Sequence, residues 1–384
     1  MAVEFSFIHT SNLHLNMENP EMGDFSGRLK DSLLEVFDLI ISLTRREKVD
    51  ALFIAGDLFE AKTVSGETLN YIREKFESLK PVNIFISPGS SDPITEDSPY
   101  LRLQWPENVY VFKKNEFTTH LLEEKKVAIH GFAHTSEDFQ ENPLEGYKVG
   151  NEDYFNLLFF NGSITDVGYP DQKITAPFRF HNILESGADY VALGHFHRVQ
   201  SLKRKGEKTI QGCYPGSPQG TRFTDEGEKG ILKVVISGNR KDITFLPTAR
   251  IKFNNINLNC GDMSNKDDIV NCLKSIIQEK NLAKNPTQIT LKGKIEKELV
   301  LDIEKLRQEV GKDCLYLEIK NKTRHEYDPQ EFKDERTVRG FFAKKTLGRI
   351  EATPQDDEKN REILQLALKY GLDSFSGKEV KKRW

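Results

Sequence analysis

The sequence predicts a large layered α/β domain, followed by a smaller α+β unit and a helical tail. Three observations carry this reading. In the first half, short apolar runs alternate with longer stretches whose apolar residues recur every three or four positions, the pattern of strands alternating with amphipathic helices. Gly, Pro or Asn follows the strand candidates, and polar residues gather at those carboxyl ends, where open α/β sheets collect ligands. Around residues 248 to 253 the alternation gives way to a shorter helix–strand pattern, and after Lys320 the chain turns polar.

In chain order, Phe5 to His9 reads as a strand. From Arg28 to Glu47, Leu29, Leu33, Val36, Phe37, Ile40 and Leu43 form one apolar stripe, so a helix with a single buried face is expected. Ala51 to Ala55 is the next strand, Leu69 to Leu79 the next helix, and Asn83 to Ile86, Val127 to His130, Leu157 to Phe160 and Tyr190 to Leu193 are further strands. Beyond the change of pattern, Ser264-Asn-Lys-Asp267 reads as a capping box for a helix whose apolar face is Ile269, Cys272, Leu273, Ile276 and Ile277. A strand Gln288 to Lys292, a helix Asp302 to Val310 and a strand Leu315 to Ile319 complete this unit. Two more helices follow, one near Glu335 to Leu347 and one opened by Thr353-Pro-Gln-Asp356 and stopped near Gly371, before the chain ends in Lys381-Lys-Arg-Trp384.

Composition narrows the function classes. The chain has 384 residues, of which 37% are hydrophobic and 30% charged, with a formal net charge of -4, so any contact with nucleic acid has to come from local patches and not from an overall basic balance. Cys213, Cys260, Cys272 and Cys314 lie far apart, with neither the spacing of a zinc knuckle nor that of a disulfide framework. The start of the chain lacks a basic segment running into an apolar one, and no later apolar run approaches membrane-spanning length, so a cytoplasmic protein without a membrane anchor is expected.

Chemistry concentrates at strand ends: Ser11-Asn-Leu-His14, Gly56-Asp57, Gly89-Ser-Ser-Asp92, Asn161-Gly-Ser163 and Gly194-His-Phe-His197. Taken singly, His14 is an ordinary loop histidine and Asp57 a helix cap. In series they match what a binuclear phosphoesterase needs: a bridging carboxylate and imidazoles on separate loops, holding two cations about 3.5–4 Å apart. Asp57 suits the bridge, and His195 and His197, two residues apart on an extended loop, suit one cation each. His130 and His134 share only a spacing of four, which does not make a metal site. Arg198, Lys203, Arg204, Lys205 and Lys208 read as a solvated hairpin in preference to a DNA track.

The order of these motifs resembles the calcineurin-like phosphoesterases, whose series runs Asp-x-His, Gly-Asp, Gly-Asn-His-Asp, His and Gly-His-x-His. More narrowly, the chain resembles the SbcD-type DNA-repair exonuclease subunits. Ile8-His-Thr-Ser opens it as in that family, Asp189-Tyr-Val-Ala-Leu-Gly-His195 follows the family pattern, and Tyr214-Pro-Gly-Ser-Pro-Gln-Gly220 followed by Gly227-Glu-Lys-Gly230 is similar to its substrate-side loop and closing strand, with Tyr214, Ser217 and Gln219 as the residues of interest. The resemblance covers about the first two-thirds of the chain. It implies a four-layered α/β/β/α sandwich over 1–248, a small α+β capping domain over 249–320 and a helical partner-binding tail over 321–384. It further implies Mn²⁺ as cofactor, DNA ends as substrate, a homodimer, and a coiled-coil SbcC-type ATPase held by Val338, Phe341 and Phe342 of the tail.

The departures are as informative. The first motif has Asn12 for the family's Asp, the third has Ser90 and Ser91 for Asn and His, and the strand-end His is Asn161. Carried over by position, one cation would keep His14, Asp57 and His197 with Asn12 as a neutral oxygen ligand; the other would keep Asp57 and His195, with Ser90 and Asn161 as poor replacements. The general-acid imidazole expected at Ser91 is absent, and a serine hydroxyl does not titrate near neutrality. Losses even in the shell around a metal typically reduce affinity or activity about 10–100-fold, and losing a proton donor removes a further ~10²–10⁴-fold of rate. The expectation is a nuclease-type subunit with no catalytic residue intact, holding one Mn²⁺ ion or none, its nuclease activity lost or weak. The alternatives are a non-catalytic dimeric scaffold for the ATPase, or a single-metal phosphodiesterase acting on a small substrate.

Overall fold

In the computed structural model, residues 3–150, 153–166, 173–204, 206–225, 227–296, 299–312, 314–325, 329–354 and 357–375 are described. The chain forms two compact units, one of Met1–Asn255 with Leu282–Gln288 and Cys314–Tyr316, the other of Ile256–Asn281, Ile289–Asp313 and Leu317–Trp384.

The first unit begins with β1 (Glu4–Thr10), α1 (Phe25–Arg46), β2 (Ala51–Ile54), α2 (Gly66–Glu77), β3 (Asn83–Ile86), a single turn α3 (Pro99–Arg102) and β4 (Val109–Val111). Each strand lies parallel beside the one before it, with Phe7 opposite Ala51 and Phe53 opposite Phe85, as expected for short crossovers carrying helices. It continues through β5 (Thr118–Leu122), β6 (Val127–Gly131), β7 (Phe155–Asn161), α4 (Phe180–Ser186), β8 (Tyr190–Gly194), β9 (Gln200–Lys203), β10 (Ile210–Tyr214), β11 (Gly230–Ser237) and β12 (Arg240–Pro247). Two six-stranded sheets result, one ordered β12-β11-β1-β2-β3-β4 and the other β5-β6-β7-β8-β10-β9.

Side-chain alternation sets the layers. In β1 and β2, Ile8, Leu52 and Ile54 face α1 and α2, joining Leu33, Phe37, Ile40 and Phe76. Their neighbours Phe7, Ala51 and Phe53 point the other way and meet Ile129, Leu157, Phe159 and Tyr190 of the second sheet. Phe53 sits at the centre of that interface, its ring 4.8 Å from Phe7, 5.2 Å from Phe85 and 5.0 Å from Phe159; truncating such a residue to alanine costs about 3–5 kcal/mol. The outer face of the second sheet, Leu158, Phe160, Val191 and Leu193, packs under Ile183 of α4. The order helix, sheet, sheet, helix is the four-layered sandwich expected. The runs in β2, β6, β7 and β8 are buried at every position, which is why they read as continuous apolar segments. The basic stretch lies on the β9–β10 hairpin, where Lys203 and Arg204 are exposed.

The second unit contains β13 (Asn254–Asn259), α5 (Lys266–Glu279), β14 (Thr287–Lys292), β15 (Lys294–Ile295), α6 (Ile303–Val310), β16 (Leu317–Asn321), β17 (Arg324–His325), α7 (Val338–Ala352) and α8 (Glu358–Phe375). β13, β14 and β16 form one sheet and β15 pairs with β17. The cap of α5 falls one residue later than expected: the Asn265 side chain accepts from the Asp268 N–H, while Asp268 Oδ2 accepts from the Ser264 N–H. The strand expected at Leu315 to Ile319 is displaced to Leu317–Asn321.

The tail departs from the sequence reading at Gly371. The last helix does not stop there but runs on to Phe375. A side chain at Gly371 would collide with the Phe342 ring, so this glycine is a close-packing position between α7 and α8 and not a terminator. Phe342 accordingly packs with Ala343, Leu368 and Leu372, whereas Val338 and Phe341 are 73% and 67% exposed. Lys381 to Trp384 and half of the expected Thr353-Pro-Gln-Asp356 signal, Gln355 and Asp356, lie outside the described residues. No helix among the described residues is long and apolar enough to cross a membrane.

Candidate functional site

The carboxyl ends of β1, β2, β3, β7 and β8 bring five loops together. His14, Asp57, Ser90, Ser91, His195 and His197 line one cavity of about 270 Å³, with Met17, Glu60, Lys173, Thr221 and Arg222 completing the wall. Asn12 and Asn161 stand fully buried, Asn161 directly against Asp57. The backbone there is strained: Asn12, His14, Asp57 and His195 all have positive φ, at 54°, 47°, 57° and 104°. Non-glycine residues held so cost on the order of 1–3 kcal/mol each and cluster at functional sites. Gly89 lacks a side chain for a visible reason, since a Cβ there would come within 2.7 Å of Asp57 Oδ1.

Asp92 ties these loops together. Its carboxylate accepts from the backbone N–H groups of Asp57 at 3.0 Å, Leu58 at 2.8 Å and Gly89 at 2.7 Å, and from the Tyr100 hydroxyl at 2.7 Å. Burial and the neighbouring Asp57 charge push its pKa up to about 6. Asp57 goes the other way. Burial raises its pKa, but the His14 ring, the Ser91 N–H at 2.7 Å and the Asn161 amide at 2.9 Å together hold it below the usual carboxylate range. Both Asp57 oxygens thus already accept a hydrogen bond from the protein.

The histidines differ. His14 donates from Nδ1 to Glu60 at 2.7 Å, and although burial opposes its protonation, Glu60 and Asp57 raise its pKa. His195 donates from Nε2 to the Lys173 carbonyl at 2.7 Å, and burial lowers its pKa to about 4. His197, its ring 5.4 Å from His14, donates from Nδ1 to Asp225 at 3.1 Å; burial lowers its pKa, against the pull of that carboxylate. Asp225 is held far below the usual carboxylate range despite burial, chiefly by His197. The Arg222 guanidinium lies 3.3 and 3.5 Å from the two nitrogens of the same ring.

These positions bear on whether divalent ions fit. Among the described residues, no three His, Cys, Asp or Glu side chains gather in a way that could hold a metal ion. The second of two cation positions is the poorer one, because Asn161 presents an amide N–H to Asp57 where an imidazole is expected; His195, donating from Nε2 to a carbonyl, keeps Nδ1 as its lone-pair nitrogen. A single cation has better-suited donors. Asn12 Oδ1 and His14 Nε2 are buried with no hydrogen-bond partner among the described residues, and Asp57 lines the same cavity as His14; Asn161 Oδ1 is likewise unpartnered.

Three expected substrate-side residues are turned inward. Tyr214 donates to the Gly162 carbonyl, Ser217 donates to the His197 carbonyl, and Gln219 holds the backbone of Arg250 and Ile251. The residues of that segment reaching the cavity are Thr221 and Arg222, which the motif comparison passed over. An Arg and an Asp three apart just past that loop were the available signal. Glu60 and Asp92 were missed as functional because neither stands where the metal motifs place a ligand.

Stacked sheets with acid- and imidazole-bearing loops at one set of strand ends define a metallophosphoesterase fold. The family model for calcineurin-like phosphoesterase matches residues 5–199, half of the chain, and the chain belongs to that family. It is 27% identical over 248 residues to the uncharacterized metallophosphoesterase YhaO of Bacillus subtilis (strain 168), covering 62% of this chain and 59% of that protein. It is 25% identical over 245 residues to the DNA double-strand break repair protein Mre11 of Methanopyrus kandleri, covering 59% of this chain and 50% of that one. The chain thus spans little more than half the length of these curated relatives. A dimetal phosphatase from Danio rerio aligns with a TM-score of 0.37 and 11% identity, over 65% of this chain and 100% of its own. Members of the family use divalent metal ions.

Proposed function

We propose that this chain is an SbcD-type subunit of a DNA-end-processing complex, a nuclease-like phosphoesterase whose catalytic centre has eroded. The observation that carries the reading is at Asp57: beside the carboxylate expected to bridge two cations, the Asn161 amide donates an N–H to Oδ2, so on that side a hydrogen-bond donor stands where a cation's imidazole ligand is expected. Ser91 offers no titrating group at the general-acid position. A single Mn²⁺ ion would be held by His14, Asp57 and His197, with Asn12 as a neutral oxygen ligand, and when bound would polarise a phosphoryl oxygen as a Lewis acid. His14 is oriented for this by Glu60 on its other nitrogen. The likeness to the Mre11 of Methanopyrus kandleri supports a nuclease-type ancestry.

The exposure of Val338 and Phe341 on α7 favours the scaffold form of this reading, in which a homodimer holds a coiled-coil SbcC-type ATPase against that helix near DNA ends. The test is manganese-dependent degradation of double-stranded DNA by the wild type beside a fourfold variant, Asn12→Asp, Ser90→Asn, Ser91→His and Asn161→His. Little wild-type activity is expected, with a gain of about 10²–10⁴-fold in the variant from the proton donor alone, and little from any single reversion because such residues act as a unit. Robust wild-type activity abolished by Asp57→Ala would contradict the reading.

A further inference from the structure

Arg222 of the cavity wall is anchored by its neighbours while its charge stays in reach of solvent. Asp225, with its side chain only 3% exposed, accepts from Arg222 Nε at 3.3 Å through Oδ1, the oxygen that also holds His197 Nδ1. The other oxygen accepts from the Thr221 N–H at 2.9 Å and the Thr221 hydroxyl at 3.1 Å. Lys229 fixes the same corner by donating to the His197 carbonyl at 2.7 Å. The guanidinium therefore leans on the His197 ring by design of its neighbours, yet its side chain is 47% exposed and lines the cavity.

The cavity's carboxylates are engaged elsewhere, Glu60 by His14 and both oxygens of Asp57 by Ser91 and Asn161. Ser90 and Ser91 also line the cavity, and among the described residues neither hydroxyl has a hydrogen-bond partner. A preorganised guanidinium with free hydroxyls in the same chamber is the chemistry that recognises a phosphate group, since the planar fork presents paired N–H donors to two oxygens.

We propose that Arg222 makes this cavity a phosphate-binding site that works without a metal ion, taking the phosphate of a phosphomonoester or of a nucleic-acid end, with Ser90 and Ser91 as secondary donors. The inference rests on the eroded-site reading, because a side-chain cation here takes over part of what two metal ions do in the family. It also gives the altered third motif a role, as hydroxyls now stand where an amide and an imidazole are expected.

The experiment titrates the full chain with inorganic phosphate in excess chelator, following ³¹P line broadening. Saturable binding is expected, weakened about tenfold or more in Arg222→Ala, as for the loss of a charge-assisted hydrogen bond, and less in Arg222→Lys, which keeps the charge without the fork. Thermal melts of both variants confirm that they fold. No saturable binding in chelator, or binding unchanged by Arg222→Ala, overturns the inference and leaves the eroded-site reading intact. Binding that appears only with added Mn²⁺ and vanishes in Asp57→Ala overturns both.

Discussion

The two sides of the cavity differ in how their polar side chains are partnered. On the side of His14, Asn12 keeps its side-chain oxygen and His14 its Nε2 buried and unpartnered, as if still aimed at a cation. On the side of Asn161, the amide N–H groups donate to the Ala55 carbonyl and Asp57, and His195 donates to the Lys173 carbonyl. Both sides keep an open acceptor, since Asn161 Oδ1 is also unpartnered, but on the Asn161 side an amide N–H is turned on the carboxylate that a cation would need. Unmade hydrogen bonds in a buried site are costly, about 1–3 kcal/mol each, and the His14 side leaves both Asn12 Oδ1 and His14 Nε2 unpartnered against Asn161 Oδ1 on the other, so binding a cation would be rewarded most there.

The largest way to break this contrast is to remove what holds both sides. Asp92→Ala leaves the N–H groups of Asp57, Leu58 and Gly89 and the Tyr100 hydroxyl without their acceptor, and a loss of about 4 kcal/mol in urea unfolding is expected. A loss below about 1 kcal/mol would mean that the loops are held independently of Asp92.

A smaller and more discriminating effect separates the sides. His14→Ala should weaken Mn²⁺ binding by about 100-fold, while His195→Ala should leave it within a few-fold, measured by calorimetry on both variants. Equal losses would show that both sides still share a metal site.

The smallest effect concerns pH. Asp92, with a folded pKa of about 6 against about 3.9 for the unfolded chain, binds its proton more tightly when folded. Its contribution is therefore fully present below the unfolded value and is lost as pH rises through 6. Between pH 5 and pH 7 that loss is on the order of 1 kcal/mol. His9 acts in the opposite sense: burial between the sheets lowers its pKa to about 3, so its contribution is lost as pH falls below about 6.5. The check is therefore a difference: over the same interval Asp92→Asn should gain on the order of 1 kcal/mol relative to wild type.

Sequence made the scaffold legible where periodicity is strong. The strand from Phe5, the stripe from Leu29 to Leu43 and the buried runs at Ala51, Val127, Leu157 and Tyr190 needed no tertiary information, because burial on both faces or on one stripe is written in the residues themselves. Gly371 was misread because its role depends on Phe342, a partner on another helix. The ordered motifs likewise located the cavity. They could not reveal that Asn161 turns its N–H groups on Asp57, that Asp225 pins Arg222, or that Tyr214, Ser217 and Gln219 face inward, since each depends on which way a side chain turns once loops distant in sequence have met.

The central claim is that the folded chain has lost one of two cation positions through its side chains. Electron paramagnetic resonance of Mn²⁺ titrated into wild type and into the fourfold variant counts the ions and shows whether they are coupled. The account predicts at most one uncoupled ion in the wild type and a spin-coupled pair in the variant. A coupled pair in the wild type, lost in Asp57→Ala, would contradict it.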